Sequence, residues 1–529
     1  MSSLPVEQVW TPTEVTLRAD QRYANPYADV AVSATFEHES GTLYEIPGFW
    51  DGDGQWRVRF APTEPGRWTY EVDSDRDDSG LATEGRFEAV ASAGSNPIRS
   101  HGFLEPDGRR LVHDDGTPFF WLADTAWSAG AKASTEEWER YLTARGDQGF
   151  NVVQITALPQ HDASKPWDRL PFGESWNLDD PDPAYFRALD DLVAMAHDRG
   201  FVPALVALWF NYAPGTWPDW DGERVRHPFD PEQAARFGRY LAARYGAYGP
   251  AWLVSGDTNY EADDEAALEV YDAAARAIGE SVTHPLRASH MIGGQSTPER
   301  VADRDWLDFH CYQSGHTVDL DVPAELAADC RSRGEAPVIN GEPPYERLEY
   351  HDTQGRRIGR ETARQAAWLS VLAGANAGVT YGAHGVWPWH RDGERFGGDD
   401  FWGMPDPWDE ALRYPGARDY GRLRDFCGRF AIGELAPRQD LLADDPDLVR
   451  AAELPADDAV VVYAASAEAV ELDGATAFDD GSAAADVDDI EWIDPAEWSR
   501  VPASVESGGD SLTVAPPPWE GDGLLVWRR

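Results

Sequence analysis

Phe120-Trp121-Leu122-Ala123-Asp124-Thr125-Ala126-Trp127 reads as an apolar strand running into a turn that contains no glycine. A doubly wound sheet also alternates strands and helices, but its first strand is usually followed by a glycine-rich phosphate turn. Ala123-Asp124-Thr125-Ala126-Trp127 is no such turn. Working outward, apolar strand candidates end at Ala123, Thr156, Trp209, Gly256, Met291, Tyr312, Asn340 and His384. Between them lie amphipathic segments at 134–147, 183–199, 231–245, 263–279 and 361–374. Ser134-Thr135-Glu136-Glu137 predicts a capping box at the first of these. Strand–helix repeats of this number over residues 98–432 predict an α/β fold, a (β/α)8 TIM barrel with insertions.

The flanks have a different rhythm. Residues 1–95 alternate in short runs such as Val30–Phe36 and Gln55–Phe60, broken by Asp51-Gly52-Asp53-Gly54 and Pro65-Gly66. They predict an N-terminal β-sandwich of immunoglobulin type. Gly94-Ser95-Asn96-Pro97 reads as a linker. Residues 440–529 return to short strands, among them Ala459–Ala464 and Gly523–Trp527, and predict a second β-sandwich. The acidic, small-residue stretch 472–490 is expected to be an exposed loop.

Composition narrows the function classes. At 529 residues the chain exceeds one compact domain, and 42% apolar residues suffice for large cores. The 23 Trp go beyond ordinary core needs, and flat aromatic rings stack on sugar faces, so the surplus leans toward carbohydrate. A formal charge of -49 repels phosphate backbones and anionic membrane surfaces, which argues against nucleic acid and membrane as partners. Only Lys132 and Lys165 are lysines; every other basic residue is Arg. An acidic, Lys-poor surface points to a halophilic protein, with counterions screening the self-repulsion; a high-GC genome is the competing explanation. Cys311, Cys330 and Cys427 are widely spaced and predict neither a disulfide framework nor a zinc ribbon. MSSLPVEQVW lacks the marks of a signal peptide, and no run approaches eighteen apolar residues, so a cytoplasmic location is expected.

In such barrels the chemistry sits at the carboxyl ends of the strands. Those ends supply Asp124, Trp127, Gln154, Trp209, Asp257, Asn259, His290, His310, Tyr312, Glu342, His384 and Trp387. Carboxylates, imidazoles and aromatics together suit a polyhydroxylated substrate. Glycoside hydrolysis needs a protonated acid for the leaving oxygen and a second carboxylate to attack or to activate water. Asp257 and Glu342, at the ends of strands four and seven, face one another across the mouth and fill those positions. The competing structural reading is that either is an ion-pair partner of one of the many arginines. A Schiff-base aldolase needs a Lys inside the barrel, whereas Lys132 and Lys165 fall in loop or helix-start positions. No His-x-His, His-x-x-x-His or Gly-x-Ser-x-Gly occurs, so neither a metal centre nor a serine nucleophile elbow is predicted. No cofactor is expected. A catalytically inactive carbohydrate-binding or scaffold protein on the same barrel is the alternative, and retention of both carboxylates argues against it.

The sequence resembles the apiosidase-like glycoside hydrolases, family 140 in the carbohydrate-enzyme classification. Phe120–Trp127 is similar to that family's first-strand motif, Gly149–Gln154 to its second strand and Tyr381–Trp387 to its last. Gly256-Asp257-Thr258-Asn259 resembles the acid/base segment, and Pro337–Glu346 the nucleophile strand. Ser255 stands where many relatives have Gly. Gly48–Gly54 through Arg59–Pro62 looks like the β-sandwich often preceding these barrels. Ile490–Pro495 resembles a C-terminal sandwich often labelled collagen-binding, a label not carried over as function. The resemblance implies Asp257 as acid/base, Glu342 as nucleophile and a retaining mechanism, with apiose as one candidate sugar. Asn259, His310 and Tyr312 are the expected donors holding Glu342 ionised.

Overall fold

The computed structural model describes residues 4–160, 164–216, 228–261, 265–350, 353, 355–443, 446–473, 489–508 and 511–528. Its centre is an eight-stranded parallel barrel: β1 Trp121–Thr125, β2 Val152–Thr156, β3 Val202–Trp209, β4 Ala251–Gly256, β5 Arg287–Ala288, β6 His310–Tyr312, β7 Val338–Asn340 and β8 Gly378–Tyr381. β1 pairs with both β2 and β8. The ring closes between the short β5 and β6, where Asp308 N–H donates to Arg287 O (2.8 Å) and Met291 N–H to Cys311 O (3.4 Å).

The outer helices are α1 Thr135–Asp147, α2 Pro183–Asp198, α3 Pro231–Tyr245, α4 Glu265–Gly279, the single turn α5 Glu299–Ala302, α6 Asp321–Ser332, α7 Arg360–Ala373 and α8 Gly416–Cys427. They begin where the chain supplies side-chain oxygens for the orphan N–H groups of the first turn. Ser134 and Glu137 form the expected reciprocal box on α1, and Asp230 and Gln233 form another on α3. Pro183 and Pro231 open α2 and α3 at positions where the missing N–H costs nothing. Three strand limits differ from the sequence expectation. β1 continues to Thr125, so Asp124 is inside the strand; β5 stops at Ala288 and β8 at Tyr381.

Before the barrel, a five-stranded sheet (in spatial order Val6–Gln8, Thr83–Val90, Gly66–Ser74, Val32–His38, Leu43–Pro47) faces a three-stranded one. Phe36 of the first stacks on Phe60 of the second at 4.1 Å between centroids, in a core that includes Trp56 and Trp68. Charged groups tie this sandwich to α2 and α3. Buried Asp51 accepts from Arg244 of α3 (2.8 Å), and Arg59 donates to Asp190 of α2 (2.7 Å). After the barrel, a six-stranded and a three-stranded sheet enclose Val460, Leu472, Trp492, Leu512 and Trp527. Arg364 of α7 reaches Asp522 there with two bonds, 2.8 and 2.6 Å. The expected acidic loop at 472–490 lies mostly outside the described residues; Asp473 and Ile490 are strand ends. Among the described residues no helix is long and apolar enough to cross a membrane.

Candidate active site

Two glycines place the two carboxylates. A Cβ on Gly256 would come within 2.1 Å of the Trp209 ring, so β4 passes directly beneath that indole and delivers Asp257 at its end. A Cβ on Gly341 would lie 2.3 Å from Cys311 Sγ and 3.3 Å from the His290 ring. Close packing therefore demands Gly before Glu342 as well. Asp257 itself adopts left-handed backbone (φ 48°), a conformation in which Asp is over-represented among non-glycine residues. This turn carries its carboxyl to the mouth, where 23% of the side chain stays exposed, whereas Glu342 keeps 5%.

His290 stands between them. Its Nδ1 accepts from Asp257 N–H (3.4 Å), which leaves the proton of the neutral ring on Nε2, 3.5 Å from Glu342 Oε2. Burial holds His290 below its ordinary pKa, against the opposing pull of Glu342. Glu342 Oε1 faces His316 Nε2 at 3.1 Å, and the Tyr345 hydroxyl also hydrogen-bonds the carboxylate. Tyr345 in turn accepts from Trp127 Nε1 (2.9 Å). These surroundings split the pair. Burial favours the neutral acid on both, but the His316, His290 and Tyr345 contacts override it and hold Glu342 below the ordinary carboxylate range. Among the described residues no such donors reach Asp257, and burial, then the nearby charge of Glu342, push it well above that range.

Of the other sequence candidates, Trp127 and Trp209 line the same place. Their rings lie 5.4 and 6.0 Å from His290 and 5.4 Å from one another. Gln154 is enclosed in the barrel interior, donating to Thr380 Oγ1 (3.2 Å). Asn259, just beyond Asp257, accepts from Gln295 (3.1 Å). His384 and Trp387 are buried after β8, with Trp387 Nε1 donating to His384 Nδ1 (3.0 Å) and His384 Nε2 bonded to Gly403 O (2.8 Å).

Three candidates turn away from the site. Alternation along β1 sends Asp124 outward, where its Oδ2 accepts from Tyr141 (2.8 Å) and Arg145 (2.7 Å) of α1. The same alternation on β6 sends Tyr312 to α6, its hydroxyl donating to Pro323 O (2.9 Å). His310 also lies on that outer face, beside Asp329 and Arg333; burial, with Arg333, pushes its pKa down to about 4. The groups on Glu342 are thus His316, Tyr345 and His290, in place of Asn259, His310 and Tyr312. Tyr345 was visible three residues after Glu342. His316 lies on the loop after β6, a loop position that strand-end counting passes over.

Asp257, His290 and Glu342 each offer a ligand atom within 4.8 Å of the others, a spacing that also fits a divalent cation. A neutral imidazole flanked by two carboxyls can serve either as a ligand set or as a proton-transfer and nucleophile pair.

The sequence pattern described as "Apiosidase-like, catalytic domain" matches residues 105–433, and a domain of unknown function (DUF5060) matches residues 7–75. No curated protein matches the chain. Among solved structures, the chain is similar to a glycoside hydrolase family 5 protein from Bacteroides vulgatus ATCC 8482 (TM-score 0.67, 22% identity, 83% of this chain and 95% of the other). A second solved chain from the same organism gives a TM-score of 0.73 at 18% identity, over 99% of this chain and 100% of the other. At such identities the likeness is one of fold. The family pattern spans the whole barrel, from before β1 to beyond α8, and the protein belongs to the apiosidase-like family.

Proposed function

We propose that the protein is a retaining glycosidase acting on plant or microbial oligosaccharides or polysaccharide side chains. Asp257 is the acid/base and Glu342 the nucleophile, and neither a metal nor an organic cofactor takes part. The observation that carries this reading is the unlike surroundings of the pair: three polar neighbours hold Glu342 below the ordinary carboxylate range, while burial and the Glu342 charge push Asp257 above it. An oxygen of Asp257 and one of Glu342 stand within 4.8 Å. So close an approach suits the separation of about 5–5.5 Å found in retaining enzymes better than the roughly 6.5–9.5 Å that admits an inverting water. In the first step a Glu342 oxygen bonds to the anomeric carbon while Asp257 gives its proton to the departing glycosidic oxygen. In the second, Asp257, now a carboxylate, takes a proton from water. The resulting hydroxyl bonds to the anomeric carbon, and Glu342 leaves as the free carboxylate. Trp127 and Trp209, both buried, pack against His290 and hold it between the two carboxyls. Apiose is one candidate sugar, since relatives that share the barrel need not share the substrate.

A screen on aryl glycosides and pectin fragments at high salt tests the reading. The kcat/KM profile should be bell-shaped. Its acid limb falls as Glu342 protonates, below the ordinary Glu range; its alkaline limb falls as Asp257 ionises, well above the ordinary Asp range. Binding without hydrolysis of any ligand would leave only a scaffold or lectin role. Loss of turnover with a chelator, restored by a divalent cation, would move the triad to metal chemistry.

The net charge of -49 supports a working environment of high salt. Screening acts first on exposed charges, over a Debye length of about 10 Å at 0.1 M and 3 Å at 1 M. The thermal midpoint should therefore rise from millimolar to molar NaCl. A flat or falling midpoint over that range removes the argument.

A further inference from the structure

We propose that Tyr350, Phe401 and Met404 form an apolar shelf that binds a second, neutral sugar ring of the substrate through its C–H face. This rests on the glycosidase reading and extends it to the substrate's size and charge.

The described surface is sparing with large exposed hydrophobics: Val6, Leu43, Val90, Val318, Phe401 and Met404. The first three belong to the N-terminal sandwich. The last three, 40, 39 and 44% exposed, sit on the loops that follow β6 and β8, at the end of the barrel where Glu342 lies. Contiguous contacts join this patch to the nucleophile. His316 faces Glu342 Oε1 at 3.1 Å, the Tyr350 ring meets His316 edge-on at 6.0 Å, and Phe401 meets Tyr350 edge-on at 5.1 Å.

The patch is also held in place. Phe401 lies on the helical turn Asp399–Trp402, and the carbonyls that follow it are bonded in succession. Trp402 O accepts from Glu349 N–H (2.9 Å), Gly403 O from His384 Nε2–H (2.8 Å) and Met404 O from an Arg357 Nη (2.9 Å). His384 is a constant donor. Burial pushes its pKa down to about 3, and with Nδ1 occupied by the Trp387 N–H its single proton stays on Nε2. This gives His384 and Trp387 a supporting part in place of direct substrate contact. A segment anchored by this many polar bonds, yet leaving Phe401 and Met404 in water, presents a preformed surface.

The charges alongside are matched. Arg357 faces Glu349 (3.4 Å) and Asp406 (3.4 Å), and Arg347 faces Asp406 (3.5 Å). Among the described residues beside the shelf, Arg347 and Arg357 are engaged by carboxylates and Arg356 by the Thr353 carbonyl (3.5 Å), an arrangement that suits a neutral ring. Rings and a thioether beside a sugar site offer dispersion and C–H contact to such a ring.

The test uses the full chain and two substrates: a neutral pectin-derived oligosaccharide, and the glycosyl fluoride of whichever sugar the wild type releases from it. The fluoride has no second ring. The ratio of kcat/KM for the oligosaccharide to that for the fluoride should fall about 3–10-fold in Phe401→Ala, mainly through KM, and further in Phe401→Ala/Met404→Ala. Phe401→Trp should restore it. Unaltered melting curves exclude a folding defect, since both side chains are substantially exposed. An unchanged ratio, or a wild type that turns over the fluoride and no neutral oligosaccharide, overturns the shelf alone. Hydrolysis of neither substrate class overturns the functional reading and the shelf with it.

Discussion

Glu342→Gln and Asp257→Asn should each reduce turnover by several orders of magnitude while leaving the melting temperature and circular dichroism unchanged. Each factor of ten corresponds to about 1.4 kcal/mol of transition-state stabilisation. In the proposed mechanism both groups act when the glycosidic bond breaks, so neither loss should be a binding effect alone. The two variants then separate by their second step. In Asp257→Ala, an activated aryl glycoside can still form the glycosyl ester on Glu342, because its leaving group needs no proton. The ester waits for a base that is gone. Azide needs no base: it should restore turnover and give a glycosyl azide of the same anomeric configuration as the substrate. In Glu342→Ala, azide would instead attack the substrate itself and give the inverted azide. The left-handed turn at Asp257 and the imidazole between the pair hold the two carboxyls near one another, as the proposed retaining mechanism requires. An inverted product from the wild type would overturn the assignment.

Much of this arrangement was legible in the sequence, for identifiable reasons. Long amphipathic helices carry their period redundantly, and α1, α2, α3, α4 and α7 fall within two residues of their expected limits. α6 and α8 follow less distinct stretches and emerged only in the fold. The two carboxylates stand after glycines at strand ends, and each glycine has a steric cause that the sequence alone does not show. What failed was strand parity. A strand of three to five residues gives too few alternations to say which side chains face inward, and a limit misplaced by a residue or two turns an outward group into an apparent mouth residue. Asp124, His310 and Tyr312 were misplaced in this way. The groups that hold Glu342, His316 and Tyr345, lie on loops, where no periodicity points inward or outward.

Asp124 has a different task, and Arg145→Met exposes it. Arg145 is fully buried on α1 and Asp124 fully buried on β1, joined by a 2.7 Å bond that pins the first helix to the first strand. Burial opposes the guanidinium charge, yet the Asp124 carboxylate beside it holds the Arg145 pKa above its ordinary value. The Phe150 and Tyr381 rings lie 5.2 and 5.4 Å from that cation. Replacing Arg145 by Met keeps much of the volume but leaves the Asp124 carboxyl buried without a cation, bonded by the Tyr141 hydroxyl and the Thr125 backbone, at a cost of about 3–5 kcal/mol. The deficit should depend on pH with a definite sign. Burial raises the Asp124 pKa even beside Arg145, and without that partner it rises further, so protonation favours the folded state more strongly in the variant. The loss should therefore be smallest in acid and grow as pH rises above the ordinary Asp range, until Asp124 ionises in the folded variant too. Asp124→Leu combined with Arg145→Met removes both charges together, and should recover most of the loss, since buried ion pairs replaced by apolar groups of similar size are often near neutral. Thermal melts of the single and double variants across pH decide it. A single variant losing less than about 1 kcal/mol, or a double variant no better than the single, would mean that the pair does not fasten helix to strand and that Asp124 is free for another role.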